Sequence, residues 1–420
     1  MGDRLAIIVG GGPAPGINGV ISAATIEAVN SGLDVIGIRD GFKRLFAGDM
    51  SAAIRLGIDD VSRIHIEGGS ILRTSRDYPS RLKTGLKKMM DTLYALNIRY
   101  LITIGGDGTS YMARLIERES LGRISIVHVP KTIDNDLPLP GGMPTFGYET
   151  ARHVGVELIK NLMEDARTMG RWYFVTTMGR YTGHLALGIG KAAGATVTLI
   201  PEEFSGKRVS IKKVADILEG SIIKRLYFGR DHGVAILAEG IAYKFNIEEL
   251  KKYEEITKDE SGRIRLSEIQ LGRIMKHFVQ NSLAKRGLKI TIVDKNIGYE
   301  LRAADPIPFD IEYTRNLGYG AVRYLLSGGS GAMIVLYDGH LRPIPLKDLV
   351  DPDTDRTRIR EVSIRSEGYE VARKYMIRLE KSDFSGDRLK KIAAIAGMKS
   401  QEFKKRFYYI VRKSPLYNTC

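Results

Sequence analysis

Cysteine is nearly absent from this chain of 420 residues, whose only cysteine is Cys420 at the end. A single cysteine excludes a disulfide bond within the chain and is compatible with a reducing compartment. Long apolar runs are also missing, because no stretch reaches the roughly 18 apolar residues that a membrane-spanning helix needs. The residues from Met1 to Leu5 lead into a predicted strand without the apolar core of a secretion signal. We therefore expect a cytoplasmic protein with no membrane partner.

Signatures of nucleic-acid binding are missing too, since the sequence has neither zinc-ligand cysteine spacing nor a recognisable RNA-binding motif. The chain carries 64 basic and 49 acidic residues, a net charge of +15. Such an excess suits nucleic acid, a membrane surface or phosphorylated metabolites. The basic residues are spread along the chain, and the densest groups, at 404–406 and 412–413, are typical of solvated surface. We therefore expect no nucleic-acid partner.

Alternation of short apolar runs with helical patterns predicts an α/β fold. Hydrophobic residues make up 43% of the chain, enough for a large core and two domains. The predicted strands are 5–9, 33–38, 100–104, 124–129, 172–177, 195–200, 233–238, 288–293 and 332–336. Helical patterns cover 17–29, 112–118 and 149–168, and a charged, mainly helical tail covers 356–378 and 384–407.

The run Gly105-Gly106-Asp107-Gly108-Thr109 lies between a predicted strand and a predicted helix. Glycines let a ligand approach the backbone closely, and the free amides at a helix start attract anions. Asp107 is itself an anion in this anion site, which favours a Mg²⁺ ion carried by phosphates. The alternative is a tight turn with a solvated aspartate.

A second loop, from Lys131 to Asp136, follows the strand 124–129. It combines a lysine and Thr132 with the carboxylates of Asp134 and Asp136 at a strand's carboxyl end, where open α/β sheets bind ligands. The alternative for this loop alone is a polar surface turn.

Five further loops carry weaker signals. The turn 10–16 is rich in glycine and proline, and the loop 68–76 carries Arg73 and Arg76, whose planar groups suit phosphate oxygens. Polar residues also follow later strands, at 178–183, 239–240 and 297–302. A solvated or ordinary connecting loop is the alternative for each.

Taken together, the runs 130–136, 105–108 and 178–180 resemble the phosphofructokinase family, with ATP-dependent and pyrophosphate-dependent members. The resemblance covers about residues 5–336. NAD kinases and lipid kinases have similar Gly-Gly-Asp-Gly runs but lack the accompanying loops. The resemblance implies two doubly wound α/β domains with mainly parallel sheets. A donor-binding domain would comprise 1–147 and 303–345, a sugar-phosphate domain 148–302, and a helical extension, 346–420, would pack on the latter.

The resemblance also implies roles for residues. Asp134 would be the general base, Thr132 would position the transferring group and Arg180 would stabilise its charge. Asp107, with Asp136 as a second candidate, would bind Mg²⁺. The donor ligands would be Gly11, Arg73, Arg76, Gly106, Asp107, Gly108 and Thr109. The sugar-phosphate ligands would be Thr132, Ile133, Asp134, Arg171, Met178, Gly179, Arg180, Glu239, Tyr299 and Arg302. Since some sugar ligands in this family come from a neighbouring subunit, we expect a homodimer or homotetramer.

The residues that indicate the phosphoryl donor disagree with one another. Pro13, Lys131 and Tyr299 resemble the pyrophosphate-dependent branch, but that branch usually has Asp where Gly108 stands. Because glycine leaves room for a nucleotide's α-phosphate, we expect an ATP-dependent 6-phosphofructokinase of glycolysis that uses ATP and fructose 6-phosphate. The alternatives are the pyrophosphate-dependent enzyme and a non-catalytic nucleotide-binding regulatory protein. Another acceptor, such as sedoheptulose 7-phosphate, would use the same arginines.

Overall fold

The structure of the protein is a computed structural model that describes residues 3–76, 82–204, 206, 208–255, 257, 268–354 and 356–412. Cys420 lies outside these residues. The chain divides into two compact units, one of Met1–Ala151 with Tyr299–Arg360, the other of Arg152–Gly298 with Glu361–Cys420.

Strands and helices alternate along most of the chain. The strands are β1 (Arg4–Val9), β2 (Asp34–Ile38), β3 (Ala53–Leu56), β4 (Ile98–Gly105), β5 (Ser125–Pro130), β6 (Trp172–Thr177), β7 (Val197–Leu199), β8 (Gly233–Ala238), β9 (Ile292–Ile297), β10 (Ala332–Tyr337), β11 (His340–Pro345), β12 (Val350–Asp351) and β13 (Arg356–Thr357). The helices up to residue 227 are α1 (Ile17–Asn30), α2 (Phe42–Phe46), α3 (Ile58–Val61), α4 (Leu82–Ala95), α5 (Asp107–Ser120), α6 (Tyr148–Met169), α7 (His184–Ala193) and α8 (Ile211–Tyr227). Those that follow are α9 (Ile247–Leu250), α10 (Leu271–Ala284), α11 (Tyr299–Ala303), α12 (Pro308–Leu326), α13 (Glu367–Tyr375), α14 (Gly386–Ile395) and α15 (Ser400–Arg412).

The first unit is built on a seven-stranded sheet in the order β11-β10-β5-β4-β1-β2-β3. The five inner strands run parallel, and the edge strands β3 and β11 run antiparallel to their neighbours. Side chains of β1 alternate between the faces: Ile8 packs in a cluster with α4 and α5, and Ile7 in a cluster with α1 and α12. Helices therefore cover both faces, as apolar parallel strands require.

The second unit has a four-stranded parallel sheet in the order β7-β8-β6-β9. Its largest apolar cluster joins Trp172 and Phe174 of β6 to helices α8 and α10. Phe403 and Phe407 of α15 are fully buried in the same cluster. The end of the described chain is thus part of this unit's core.

The α/β class with mainly parallel sheets is confirmed, and the differences lie at edges and boundaries. The strand predicted at 288–293 is found at Ile292–Ile297. This edge strand carries exposed polar side chains, such as Lys295, so a search for apolar runs does not locate it correctly. The antiparallel strands β3 and β11 were not predicted.

The observed unit boundaries differ from the predicted ones. The first unit includes 299–302 and 346–360, which were predicted to belong to the second. Arg302 lies against Gly12, and the amide of Arg360 donates to the carbonyl of Asp136, so both segments are held by the first unit. Within the described part of the chain, no helix combines the length and apolar character needed to cross a membrane.

Candidate functional site

In the first unit, the turn after β1 begins with three glycines, residues 10–12, which have no side chains. The amide of Gly11 donates to the carbonyl of Ser75 at 2.8 Å, and the Thr74 hydroxyl donates to the carbonyl of Gly11 at 2.8 Å. Gly11 has a φ of 87°, in the left-handed region that favours glycine. The loop that was predicted to bind phosphate thus lies directly against the loop that carries Arg76.

Three cationic side chains meet at this turn. The ammonium of Lys131 donates a hydrogen bond to the carbonyl of Gly12. A β-carbon added at Gly12 would lie 2.8 Å from Nη2 of Arg76 and 3.3 Å from Cζ of Arg302. Residues that are far apart in sequence therefore form one positive cluster, which we call the cation cluster (Lys131, Arg76 and Arg302). Such a cluster attracts phosphate oxygens.

Lys131 is the buried member of the cation cluster, with 4% of its surface exposed. Burial, followed by repulsion from Arg302 and Arg76, lowers the pKa of Lys131 to about 7. The charges of Asp134 and Asp136 oppose that shift. A buried ammonium is costly without a partner of opposite charge, which is what an anionic ligand supplies.

Helix α5 begins at the Gly-Gly-Asp-Gly run, with Gly106 as its N-cap. Asp107 and Gly108 form the first turn, and Thr109 is buried beneath it. The Asp107 side chain accepts a hydrogen bond at 3.3 Å from the amide of Thr357. The start of this helix offers amide donors to an anion, with a carboxylate beside them.

The loop after β5 carries two of the three predicted catalytic residues, Thr132 and Asp134. The amide of Asp134 donates to Oγ1 of Thr132 at 3.1 Å. Burial, and then the charge of Asp134, raises the pKa of Asp136 above its usual range, against a hydrogen bond from the Thr132 hydroxyl. Ile133 is buried below the loop. The loop therefore presents two carboxylates that repel one another.

The same carboxylates fit a divalent cation. The charge of Asp107 also contributes to the raised pKa of Asp136, so negative groups from two loops interact here. Among the described residues, no group of three or more His, Cys, Asp or Glu side chains is placed to hold a metal alone. Mg²⁺ is commonly bound by one or two carboxylates together with phosphate oxygens, and Asp107 and Asp136 suit that mode.

In the second unit, the loops after β6 and β8 lie side by side because Thr177 pairs with Ala238. The amide of Gly179 donates to Oε1 of Glu239 at 3.4 Å, and its carbonyl accepts from the amide of Gly240 at 3.1 Å. Met178 is buried at the strand end, and Arg180 stands next in the loop. Hydrogen-bonding groups for a polyol and a cation for a phosphate thus share one edge of this sheet.

Arg171 lies away from that edge. It precedes β6, whereas Met178 to Arg180 follow it, and at about 3.3 Å per residue the strand of 6 residues separates them by roughly 20 Å. Its guanidinium forms a bidentate ion pair with Asp165, at 2.8 and 2.7 Å. Within the second unit, Arg171 therefore lies apart from Met178, Gly179 and Arg180.

Two more predicted ligands lie at the surface of the first unit. Arg73 forms an ion pair with Asp40 at 3.7 Å, and 77% of its side chain is exposed. Tyr299 opens α11 and is 68% exposed. Sequence reasoning missed Thr357 and Arg360, which contact the loops of Asp107 and Asp136. No motif marks them, because more than two hundred residues separate them from these partners.

The comparisons with known proteins agree on the family. A sequence model described as Phosphofructokinase matches residues 4–325. Pyrophosphate–fructose 6-phosphate 1-phosphotransferase of Thermotoga maritima is 56% identical, covering 97% of this chain and 99% of that protein. The protein of the same name from Naegleria fowleri is 49% identical, covering 97% and 96%. ATP-dependent 6-phosphofructokinase 1 of Thermus thermophilus is 33% identical, covering 84% and 96%.

These similarities contradict the prediction of an ATP-dependent enzyme, which is wrong. Two relatives named for pyrophosphate, at 56% and 49% identity, are far more similar to the chain than the Thermus relative named for ATP, at 33%. The physical reason lies in what the two donor positions do. Gly108, in the first turn of α5, only removes an obstacle to a larger donor, whereas Lys131 supplies a buried charge. The missing side chain at Gly108 permits a larger donor but does not favour it over pyrophosphate. The prediction of ATP gave this glycine too much weight.

Proposed function

Since the chain belongs to the phosphofructokinase family, we propose that it transfers a phosphoryl group from pyrophosphate to the 1-hydroxyl of fructose 6-phosphate. The bond from the sugar oxygen to phosphorus forms as the bridging P–O bond of pyrophosphate breaks. The products are fructose 1,6-bisphosphate and orthophosphate. The observation that carries the proposal is the buried ammonium of Lys131 at the carbonyl of Gly12.

The cation cluster binds the donor. Pyrophosphate concentrates its charge on two phosphoryl groups, so a compact set of cations matches it better than an extended groove. Lys131 acts as a point charge, and Arg76 and Arg302 each donate paired hydrogen bonds. Gly11 and Gly12 allow the phosphate to approach the backbone, while Gly106 and Thr109 belong to the anion-binding helix start. Arg302, which the family resemblance assigns to the sugar phosphate, lies at this turn as well and adds to its positive charge.

Asp134 is the general base. Its carboxylate takes the proton of the 1-hydroxyl as the oxygen attacks phosphorus. The hydroxyl of Thr132, which accepts from the Asp134 amide, fixes the loop's geometry and lies beside the transferring group. Asp107 and Asp136 would hold Mg²⁺, and the bound ion would supply neutralisation of the negative charge on the donor.

The second unit recognises the sugar phosphate. Glu239 accepts hydrogen bonds from sugar hydroxyls, Arg180 binds the 6-phosphate, and Met178 and Gly179 shape the loop between them. Because Arg171 lies at the other end of β6, it serves the site of a neighbouring copy of the chain, so the active enzyme is a homo-oligomer.

The deciding experiment is a donor assay with the purified full chain. Fructose 6-phosphate and Mg²⁺ are supplied with pyrophosphate in one reaction and with ATP in a parallel one, and fructose 1,6-bisphosphate is measured. We expect kcat/KM for pyrophosphate to exceed that for ATP by on the order of tenfold or more. Equal or better use of ATP would overturn the donor assignment. Absence of the bisphosphate with either donor would overturn the reaction.

A further inference from the structure

The segment 346–360 follows β11 and lies beyond the part of the chain matched by the family model, which ends at residue 325. We call it the brace segment. Leu346 and Leu349, at its start, are buried in the same apolar cluster as Leu115 of α5. The brace segment is therefore anchored on the helix whose first residue is Asp107.

The brace segment then reaches the start of that helix. Its strands β12 and β13 pair antiparallel, with Val350 opposite Thr357. The buried Thr357 donates its amide to Oδ1 of Asp107 at 3.3 Å. Only one of the two carboxylate oxygens accepts this bond, so the orientation of the Asp107 side chain is set without occupying both oxygens.

Arg360, the last residue of the brace segment, contacts the loop that carries the carboxylates of Asp134 and Asp136. Its amide donates to the carbonyl of Asp136 at 2.8 Å. Its guanidinium donates to the carbonyl of Asn135, at 3.2 Å from Nε and 3.0 Å from Nη2, and to the carbonyl of Met143 at 2.8 Å. Nη2 also donates to the side-chain oxygen of Asn135. Arg360 thus connects the loop at Asn135 to the chain segment at Met143.

Asn135 is the residue on which this arrangement depends. Its φ of 56° lies in the left-handed region, which few non-glycine residues adopt and which asparagine adopts more readily than most. Its side-chain oxygen accepts from the amide of Thr145 at 3.0 Å as well as from Arg360. Because Asp134 and Asp136 flank Asn135, fixing Asn135 sets the direction in which both carboxylates leave the backbone.

We propose that Arg360 is a positioning residue for phosphoryl transfer, which holds Asn135 and through it the carboxylates of Asp134 and Asp136. The inference rests on the proposed function. The brace segment then links both acidic parts of the site, through Thr357 at Asp107 and Arg360 at Asn135. Arginine is required because a lysine ammonium cannot reach several carbonyls in one plane.

The test compares Arg360→Met with Arg358→Met in the full chain. Arg358 lies in the same segment with an exposed side chain, so its variant removes the same charge without touching the loop. We expect Arg360→Met to lower kcat with pyrophosphate by about 10- to 100-fold, as for misplaced catalytic groups. The KM for fructose 6-phosphate should stay within about twofold, because the sugar ligands of the second unit are unchanged. Arg358→Met should match the wild type.

Arg360→Lys is the second variant, because it keeps the charge and most of the stem. We expect it to melt close to the wild-type temperature and still to lose kcat. A wild-type kcat in Arg360→Lys or in Arg360→Met would overturn the positioning role. A lower melting temperature with unchanged kcat per folded molecule would also overturn it. Inactivity of the wild-type protein with pyrophosphate would instead overturn the proposed function, and the positioning role with it.

Discussion

The ammonium of Lys131 donates to the main-chain carbonyl of Gly12, which places a buried cation against the turn after β1. Arg76 approaches the same glycine from its loop, and Arg302 approaches it from helix α11. No side chain of the turn itself separates these cations from a ligand, since residues 10–12 are all glycine. In the cation cluster one charge is therefore buried, whereas Arg76 is exposed and Arg302 is half-buried, which supports the proposal that the cluster binds phosphate.

Replacing Lys131 by Met should specifically weaken use of the donor. The substitution keeps an apolar chain of similar length but removes the buried charge. Loss of a charge-assisted contact of about 2–3 kcal/mol predicts a decrease of roughly 30- to 160-fold in kcat/KM for pyrophosphate. Initial rates at varied pyrophosphate measure it, with the KM for fructose 6-phosphate expected to stay near the wild-type value. Lys87→Met, at a lysine that is 90% exposed, is the matched control. A wild-type kcat/KM in Lys131→Met would remove Lys131 from the donor site.

The same lysine predicts a pH dependence. Burial and the neighbouring arginines lower its pKa to about 7, so the side chain of the free enzyme is charged below that pH and neutral above it. Its attraction for the donor is therefore greatest in acid and is lost as the pH rises through about 7. The ratio of kcat/KM for pyrophosphate between wild type and Lys131→Met should fall across this range. Taking the ratio cancels the titration of pyrophosphate itself, and a ratio that does not change with pH would contradict the assignment.

Asp134→Asn should affect the chemical step and leave binding intact. The amide has nearly the shape of the carboxylate but cannot accept the hydroxyl proton. Loss of a general base predicts a decrease in kcat of about 10²- to 10⁴-fold. The affinity for fructose 6-phosphate, measured by calorimetry, should change little, since Glu239 and Arg180 remain. The exposed Asp91, exchanged for Asn, is the control. A variant with near-wild-type turnover would show that another group takes the proton.

The sequence was sufficient for the class of fold and for the loops that carry the chemistry. Apolar runs such as 100–104 and 172–177 mark inner strands, and the polar loops that follow strands mark the ligand-binding edge. It was insufficient for β9, because half of an edge strand faces solvent and its sequence is polar. Arg360 could not be predicted either, since nothing in its neighbourhood distinguishes it from the solvated arginines of the tail.

The separation of Arg171 from Arg180 was available from the sequence. A strand predicted at 172–177 puts its two flanking residues at opposite ends, as the structure has them. The family resemblance names both arginines as ligands of the sugar phosphate, and in the proposed function a second chain reconciles that role with this distance. Buried polar anchors such as Asp310, in contrast, have no sequence signal, because an acidic residue in the first turn of a helix is common whether it is buried or exposed.

Replacing Asp310 should lower the stability of the protein rather than its catalytic rate. Its buried carboxylate accepts from the amides of Gly147 and Thr150 at 2.8 Å each, and from the Thr150 hydroxyl at 2.6 Å. Asp310→Ala leaves these donors buried without an acceptor, which should cost on the order of 3 kcal/mol. Scanning calorimetry should show the loss as a lower temperature of the first unfolding transition. Glu312→Ala, exposed on the same helix, should leave that temperature unchanged. An unaltered transition in Asp310→Ala would mean that water replaces the carboxylate.

Arg171 and Arg180 allow a test of the oligomer in which two inactive proteins restore activity. If Arg171 serves a neighbouring chain, a site needs Arg180 from one chain and Arg171 from the other. Arg171→Ala and Arg180→Ala homo-oligomers should each bind fructose 6-phosphate poorly, because every site lacks one phosphate contact.

In a hybrid dimer, one site has both arginines and the other has neither. Random mixing of equal amounts makes half of the dimers hybrids, so about a quarter of the sites should be intact. Co-refolded or co-expressed mixtures should therefore regain roughly that share of wild-type activity, whereas unmixed variants should not. Mixtures that stay as inactive as their components, although hybrids are present by native mass spectrometry, would place Arg171 outside the site.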